Sequence, residues 1–183
     1  MIATPPDITS YWRFIMKEIK LIGSILVALV DDEDYERVNQ FTWHVRNNPL
    51  TNYCRRVDTH EAGGLVYMHR FILGLTDPKV HVDHINSNGL DNRQCNIRAV
   101  TRSQNHMNMR KKRYNGGRPT SSKFKGVHWC NTAKRWVSRI VLNGKVIRTK
   151  HFRDEISAAK AYNDAAQKYF GEFARLNKIT EAK

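Results

Sequence analysis

The stretch "DHINSNGLDNRQCN", residues 83–96, constrains this chain more than any other. It is too polar to line a core, and its Asn and Asp recur too regularly for a solvated linker. The runs on either side, "VHVDHI" (80–85) and "NIRAV" (96–100), read as short strands, and Thr101 with Gln104 forms the S/T-x-x-E/Q pair that opens a helix. The segment 80–110 is therefore predicted as a ββα unit. Asp83 and His84 end its first strand, Asn96 opens the second, and Asn105 lies one turn into the helix.

That arrangement points to a particular chemistry. Asp83 offers a hard carboxylate oxygen and Asn105 an amide oxygen, a donor set suited to Mg²⁺ or Mn²⁺ rather than zinc, with water and phosphate oxygens completing the shell. His84 titrates near neutrality, so as a neutral imidazole it can take a proton from an attacking water. The combination is that of single-metal phosphodiester hydrolysis, in which the ion neutralises charge on the phosphorane and the departing oxygen.

The segment "YMHRFILG...VHVDHINSNGLDNRQCNIRAVTRSQNHMN" resembles the HNH endonuclease family, and most of all the free-standing and intron-encoded homing endonucleases of phages. The resemblance implies that His84 is the general base, that Asp83 and Asn105 hold the metal, and that Asn96 steadies the loop between the strands. It also implies a cytoplasmic, phage- or mobile-element-encoded protein in a bacterial host. The third signature position holds Asn rather than His, as in some members, which weakens a zinc or nickel option more than the nuclease reading. Within "YMHRF" (67–71), the single His among apolar neighbours reads as structural.

The charge is as unevenly spread as the motif is concentrated. The chain of 183 residues has a formal net charge of +14. Residues 1–80 carry nine Lys/Arg against ten Asp/Glu, residues 81–107 three against two, and residues 108–183 nineteen against five. A patch so segregated reads as a polyanion-binding unit on a nearly neutral body, with double-stranded DNA as the expected partner. Residues 108–122, "NMRKKRYNGGRPTSS", have linker composition, and Arg110, Lys111, Lys112 and Arg113 are placed to follow a phosphate backbone.

Beyond the linker, "FKGVHWC", "KRWVSRIVL" and "KVIRTKHF" read as three strands, the last two joined by Asn143-Gly144, a type I′ hairpin signal. A two-residue loop sets Leu142 against Lys145 and Val141 against Val146, and continuing the ladder sets Arg139 against Arg148, with Lys150 on the same face. Two opposed Arg repel, so the sheet is expected to present them to phosphates or base edges. The apolar face of Trp136, Ile140, Leu142 and Ile147 needs a cover. Residues 155–170 supply it, with Ala159, Tyr162, Ala166 and Tyr169 at helical spacing, Asp154 as N-cap and Gly171 as stop.

The block from Lys123 to Asn177 resembles the plant Apetala-two or ethylene-response-factor DNA-binding domain, through "SKFKGV", "RW" and "AAKAYNDAAQKYFGEFARLN". This implies DNA contacts from Lys125, His128, Arg139, Arg148 and Lys150, although the Arg pattern is thinner here, so the target sequence does not transfer.

The whole chain is thus expected to be α+β. Residues 1–15 form an extension, 16–107 a ββα-metal nuclease domain with a β-rich N-terminal part, 108–122 a linker, and 123–183 a three-stranded antiparallel sheet packed on one helix. In that N-terminal part, 19–30, 41–46 and 65–68 read as strands and 31–40 as a helix. A monomer that nicks DNA is expected, with dimerisation on DNA left open. The competing class is a DNA-binding regulator with a decayed nuclease site, with a structured-RNA binder a weaker third reading. No apolar run approaches the roughly 20 residues of a membrane span. Three separated Cys, with no C-x-x-C pair, argue for a reducing compartment and against Cys-ligated zinc.

Overall fold

The computed structural model describes residues 16–58 and 64–180, leaving aside the side chains of Asn115 and Arg148. The extension 1–15 and the "EAG" of the 61–64 turn lie outside the described residues. The chain parts into two compact units, one up to Val100 and one from Thr101 onward.

The first unit begins with an antiparallel pair, β1 (Met16–Lys20) and β2 (Val27–Asp31). The apolar run 19–30 is not one strand, because the chain turns between Leu21 and Leu26 with Gly23 at φ 69°. The inward-facing positions Ile19, Ala28 and Val30 are buried while Ile25 is fully exposed. Helix α1 (Asp32–Asn39) follows where the sequence reading placed it, with Asp32, Glu33 and Asp34 favourably set in its first turn. A second sheet has the order β3 (His44–Arg46), β4 (Tyr53–Val57), β5 (Leu65–Tyr67). The polar "YCRRV" of β4 does not advertise itself as a strand, and the short helix α2 (Met68–Ile72) begins inside the apolar run 65–68.

Trp43 is fully buried, donates its indole N–H to the Val38 carbonyl at 2.9 Å, and packs with Cys54, Met68 and Ile72 in the core. Arg70 of α2 donates to the carbonyls of Val80 (2.6 Å), Asp77 (2.6 Å) and Leu75 (3.3 Å). That guanidinium fixes the connection into the hairpin of β6 (His81–His84) and β7 (Ile97–Val100).

The second unit opens with α3 (Arg102–Asn108), which carries the expected capping box: Gln104 N–H reaches the Thr101 hydroxyl and the Gln104 side chain accepts from Thr101 N–H. The segment of linker composition contains a small hairpin, β8 (Tyr114–Asn115) with β9 (Arg118–Pro119), to which Thr120 N–H adds a bond to Arg113 carbonyl at 2.9 Å. Then come β10 (Val127–Cys130), β11 (Arg135–Leu142) and β12 (Lys145–Phe152) in that spatial order. Helix α4 (Glu155–Phe170) buries Ala158, Ala159, Tyr162, Ala165, Ala166 and Phe170, which form one core with Phe124, Val127 and Ile140. Asp154 caps it by accepting from Ser157 N–H at 2.7 Å. Tyr169, expected in that stripe, is exposed and the adjacent Phe170 takes its place.

One expected register is corrected. Leu142 faces Lys145 and Val141 faces Val146 around the Asn143-Gly144 turn, but Ile140 then faces Arg148 and Arg139 faces Thr149. Ile147 is an extra residue in β12, a bulge that shifts the partner of every later position by one. Arg139 and Arg148 are therefore not opposed, Lys150 pairs with the buried Ser138, and Ile147 is exposed rather than part of the covered face.

Candidate active site

Asp83 and His84 are the last two residues of β6, each only about 5 % exposed. Across the ladder Asp83 pairs with Arg98, whose Nε and Nη2 donate to Asp83 Oδ2 at 3.1 and 2.9 Å. The polar stretch that follows is held by its own side chains. Asn96 Oδ1 accepts from Asn86 N–H at 2.9 Å and its Nδ2 donates to the Asp91 carbonyl at 2.7 Å. Asp91 receives both arms of Arg93 at 2.8 Å and the amide of Asn86 at 2.8 Å. Burial alone would raise the Asp91 carboxyl, but Arg93 and Asn86 outweigh it and hold it below the usual range.

Further bonds anchor the loop to the rest of its unit. Leu29 N–H donates to Leu90 carbonyl and Asn92 N–H to Leu29 carbonyl, both at 2.8 Å, while Asp31 accepts from Gln94 N–H at 2.6 Å. Gly89 donates to Thr51 Oγ1 at 2.8 Å and lies so close to β4 that a Cβ there would meet the Asn52 carbonyl and sit 2.6 Å from Tyr53 Cδ1.

The His84 ring sits in a cage. Tyr53 is 5.7 Å away between ring centres, and His69 meets it edge-on at 5.1 Å. Its Nε2 lies 3.5 Å from Asn92 Oδ1. Burial pushes the His84 imidazole below its ordinary range against the opposing pull of Asn92, Asp83 and Asp91, so it is neutral at neutral pH. His69 is buried, stacked on Tyr67 at 5.5 Å, and its pKa is pushed down to about 3 by burial, His84 and Arg70. Its Nδ1 has no hydrogen-bond partner among the described residues. The histidine of "YMHRF" is thus structural in burial, yet it packs on the candidate base.

The HNH endonuclease family profile matches residues 66–107, the span that holds every group just described from His69 onward. Over 162 residues the chain is 36% identical to an uncharacterized HNH endonuclease of Acanthamoeba polyphaga mimivirus, covering 86% of this chain and 78% of that protein. The chain belongs to the HNH endonuclease family. An HNH endonuclease is a nuclease, with DNA the implied substrate, and the likeness to the viral protein extends well past the motif. No solved structure matches the chain with significance.

An HNH endonuclease of this family is expected to use a divalent metal, and the donor chemistry here fits a hard ion. Among the described residues no three His, Cys, Asp or Glu groups converge as a metal cage. An ion at the buried Asp83 carboxylate would therefore draw its other ligands from amide oxygens, water and phosphate, as Mg²⁺ does. Asn105 lies in the second unit, half-buried on α3. The three thiols are free: Cys54 is buried, which pushes it up to about 12, while Cys95 is exposed and Cys130 half-buried.

In the second unit of this HNH endonuclease the expected contact residues divide. Lys125 spends its ammonium on the carbonyls of His106 and Met107 at the end of α3. His128 and Arg139 are exposed, and partial burial together with the nearby charges of Lys111, Arg139 and His151 lowers the His128 pKa. Lys111, Lys112, Arg113 and Lys123 line one cleft, with Lys111 also bonded to the Val127 carbonyl at 3.1 Å. Arg110 and Lys150 are exposed, and Arg148 is placed only by its backbone register.

Sequence reasoning missed Arg98, Asn92, Tyr53 and His151. Arg98 alone carried a signal, since an Arg near the start of the second strand falls opposite an Asp near the end of the first in a short hairpin.

Proposed function

We propose that this chain is a homing-type DNA endonuclease that hydrolyses a phosphodiester bond with Mg²⁺ or Mn²⁺ and nicks one strand per active site. The observation that carries the reading is a buried, neutral imidazole, His84, next to a buried carboxylate, Asp83, at the end of β6. A general base must be unprotonated at working pH and held in place, and burial against Tyr53 and His69 supplies both conditions. His84 takes the proton of the attacking water. Asp83 holds the cation, and Asn105 is assigned as the second oxygen donor on the family resemblance. When bound, that cation neutralises charge on the phosphorane and the leaving oxygen. Asn96 keeps the loop closed through Asn86 and Asp91.

The second unit holds the DNA. Nineteen Lys/Arg against five Asp/Glu after residue 107, the cluster of His128, Arg139, His151 and Lys111, and the cleft lined by Lys111 to Arg113 support this reading. The three-stranded sheet covered by one helix is also the arrangement expected from the Apetala-two resemblance. Plasmid cleavage tests the activity: supercoiled DNA should be converted to the open-circular form with Mg²⁺ or Mn²⁺ and not in excess EDTA. Robust cutting in chelator would remove the metal from the proposal, and no cutting under any cation would leave a DNA-binding protein without nuclease activity.

A further inference from the structure

The outward face of the second unit's sheet is not uniformly basic. In β11, Ile140 is buried in the core with α4, so Arg139 and Val141 on either side of it point to the opposite face. The ladder adds further residues to that face. Val146 lies opposite Val141, Thr149 opposite Arg139, and His128 and His151 on the two sides of Val137. Val137 is only 3 % exposed, whereas Val141 and Val146 are 42 % and 48 % exposed. Along one face the sheet thus passes from a covered apolar residue, through Arg139, to an open apolar pair.

That pair is open without a structural need. Thr149 shows that a β-branched polar residue suits this strand without setting apolar surface in water. The pair is also held in place: the Asn143-Gly144 turn joins its two strands directly, and Asn143 Oδ1 accepts from Ser103 Oγ at 2.8 Å, which ties the turn to α3. The bulge at Ile147 follows Val146 immediately and increases the local twist.

The surroundings decide what such a surface fits. Two valines expose too little for a stable protein interface, which takes roughly 800 Å² from each partner. Arg139, His128 and His151 on the same face favour a polyanion. The major groove of DNA combines phosphates and acceptor edges with one apolar group, the C5 methyl of thymine, which the minor groove does not present. We propose that Val141 and Val146 are specificity-determining residues that pack on thymine methyls in the major groove, beside the cationic Arg139. This rests on the reading that the second unit holds DNA, and not on whether the chain cuts it.

The test is a selection by the full chain from a randomised duplex pool in excess EDTA, so that binding is read apart from cleavage. Each recovered duplex is remade with deoxyuridine in place of thymidine at one position at a time, which removes the methyl and nothing else. The parental chain should lose affinity by about fourfold at one or more positions, the scale of one buried methyl. The double variant Val141→Ser/Val146→Ser, altered only at exposed positions, should bind the thymidine duplex more weakly by a similar factor and no longer distinguish it from the deoxyuridine form. Equal binding of the two forms by the parental chain at every position would overturn the proposal, and that comparison needs no variant to fold. The same thymidine preference in the double variant would overturn it too. A pool that yields no enriched duplex would sink the DNA-binding reading of the second unit and this proposal with it, whereas enriched duplexes indifferent to the methyl would sink the proposal alone.

Discussion

Acid should loosen the first unit well before its carboxylates are protonated, and His69 is the reason. In the unfolded chain this imidazole titrates near its ordinary 6.5, whereas in the fold it is held down to about 3. The unfolded state therefore binds more protons between those values, so stability is full above about pH 6.5 and falls as pH drops through that window. Each pH unit inside it costs about 1.4 kcal/mol for one such group, which gives a loss of roughly 2 to 3 kcal/mol between about pH 7 and pH 4.5. His84, lowered by burial as well, adds a loss of the same sign. Asp91 has a lowered carboxyl and contributes only further down, as pH falls below the carboxylate range. The assay is urea unfolding followed at the Trp43 indole N–H, whose bond to Val38 belongs to this unit. With a slope of roughly 1 to 3 kcal/mol per molar urea, the midpoint should fall by about 1 M or more over that pH range. His69→Phe should remove most of the fall. A midpoint that stays level, or an equal fall in His69→Phe, would show that His69 is not the group that takes up the proton on unfolding.

Three other substitutions probe separate parts of the molecule. Gly89→Ala drives a methyl into Tyr53 and should cost about 1 to 3 kcal/mol in urea unfolding while slowing cleavage, because the displaced ring also faces His84; unchanged stability would show that the strand gives way freely. Arg98→Ala removes the guanidinium that pairs with the buried Asp83 carboxylate and should destabilise the first unit by roughly 3 kcal/mol, which a thermal or urea midpoint near the parental value would contradict. Arg139→Ala, exposed and facing Thr149 rather than another Arg, should leave stability unchanged within about 0.5 kcal/mol and reduce the slope of log K for DNA against log salt by about 0.9; an unaltered slope would take Arg139 off the DNA surface.

The elements legible in the sequence were those marked by local chemistry. Thr101 with Gln104, Asp154 before its helix, and Asn143-Gly144 between strands each satisfy or shape the backbone within a few residues, so no tertiary information was needed. The β6–β7 hairpin was equally plain from its flanks. What failed depended on packing. Ile147 looks like any apolar strand residue, and only the ladder shows that it is supernumerary, which changes the partners of Arg148 and Lys150. Tyr169 and Phe170 are neighbours of similar bulk, and the helix's rotation on the sheet selects the second. The run 19–30 is mostly apolar, and the turn at Gly23 and Ser24 that interrupts it is easily passed over because a fully exposed Ile25 leaves no trace in composition. In the site, Asp83, His84 and Asn96 stand out through their motif spacing, whereas Asn92 meets His84 through a buried polar contact and Tyr53 and His69 through ring contact, which spacing does not encode.

One paired measurement separates the chemistry assigned to His84 from the binding assigned to the basic second unit: cleavage rate and DNA dissociation constant for the parental chain and His84→Ala under the same salt and Mg²⁺. The substitution should lower the rate by at least about 100-fold, the scale of a lost general base, with the dissociation constant changed by less than about twofold. A His84→Ala chain that cuts at close to the parental rate would contradict the role assigned to His84.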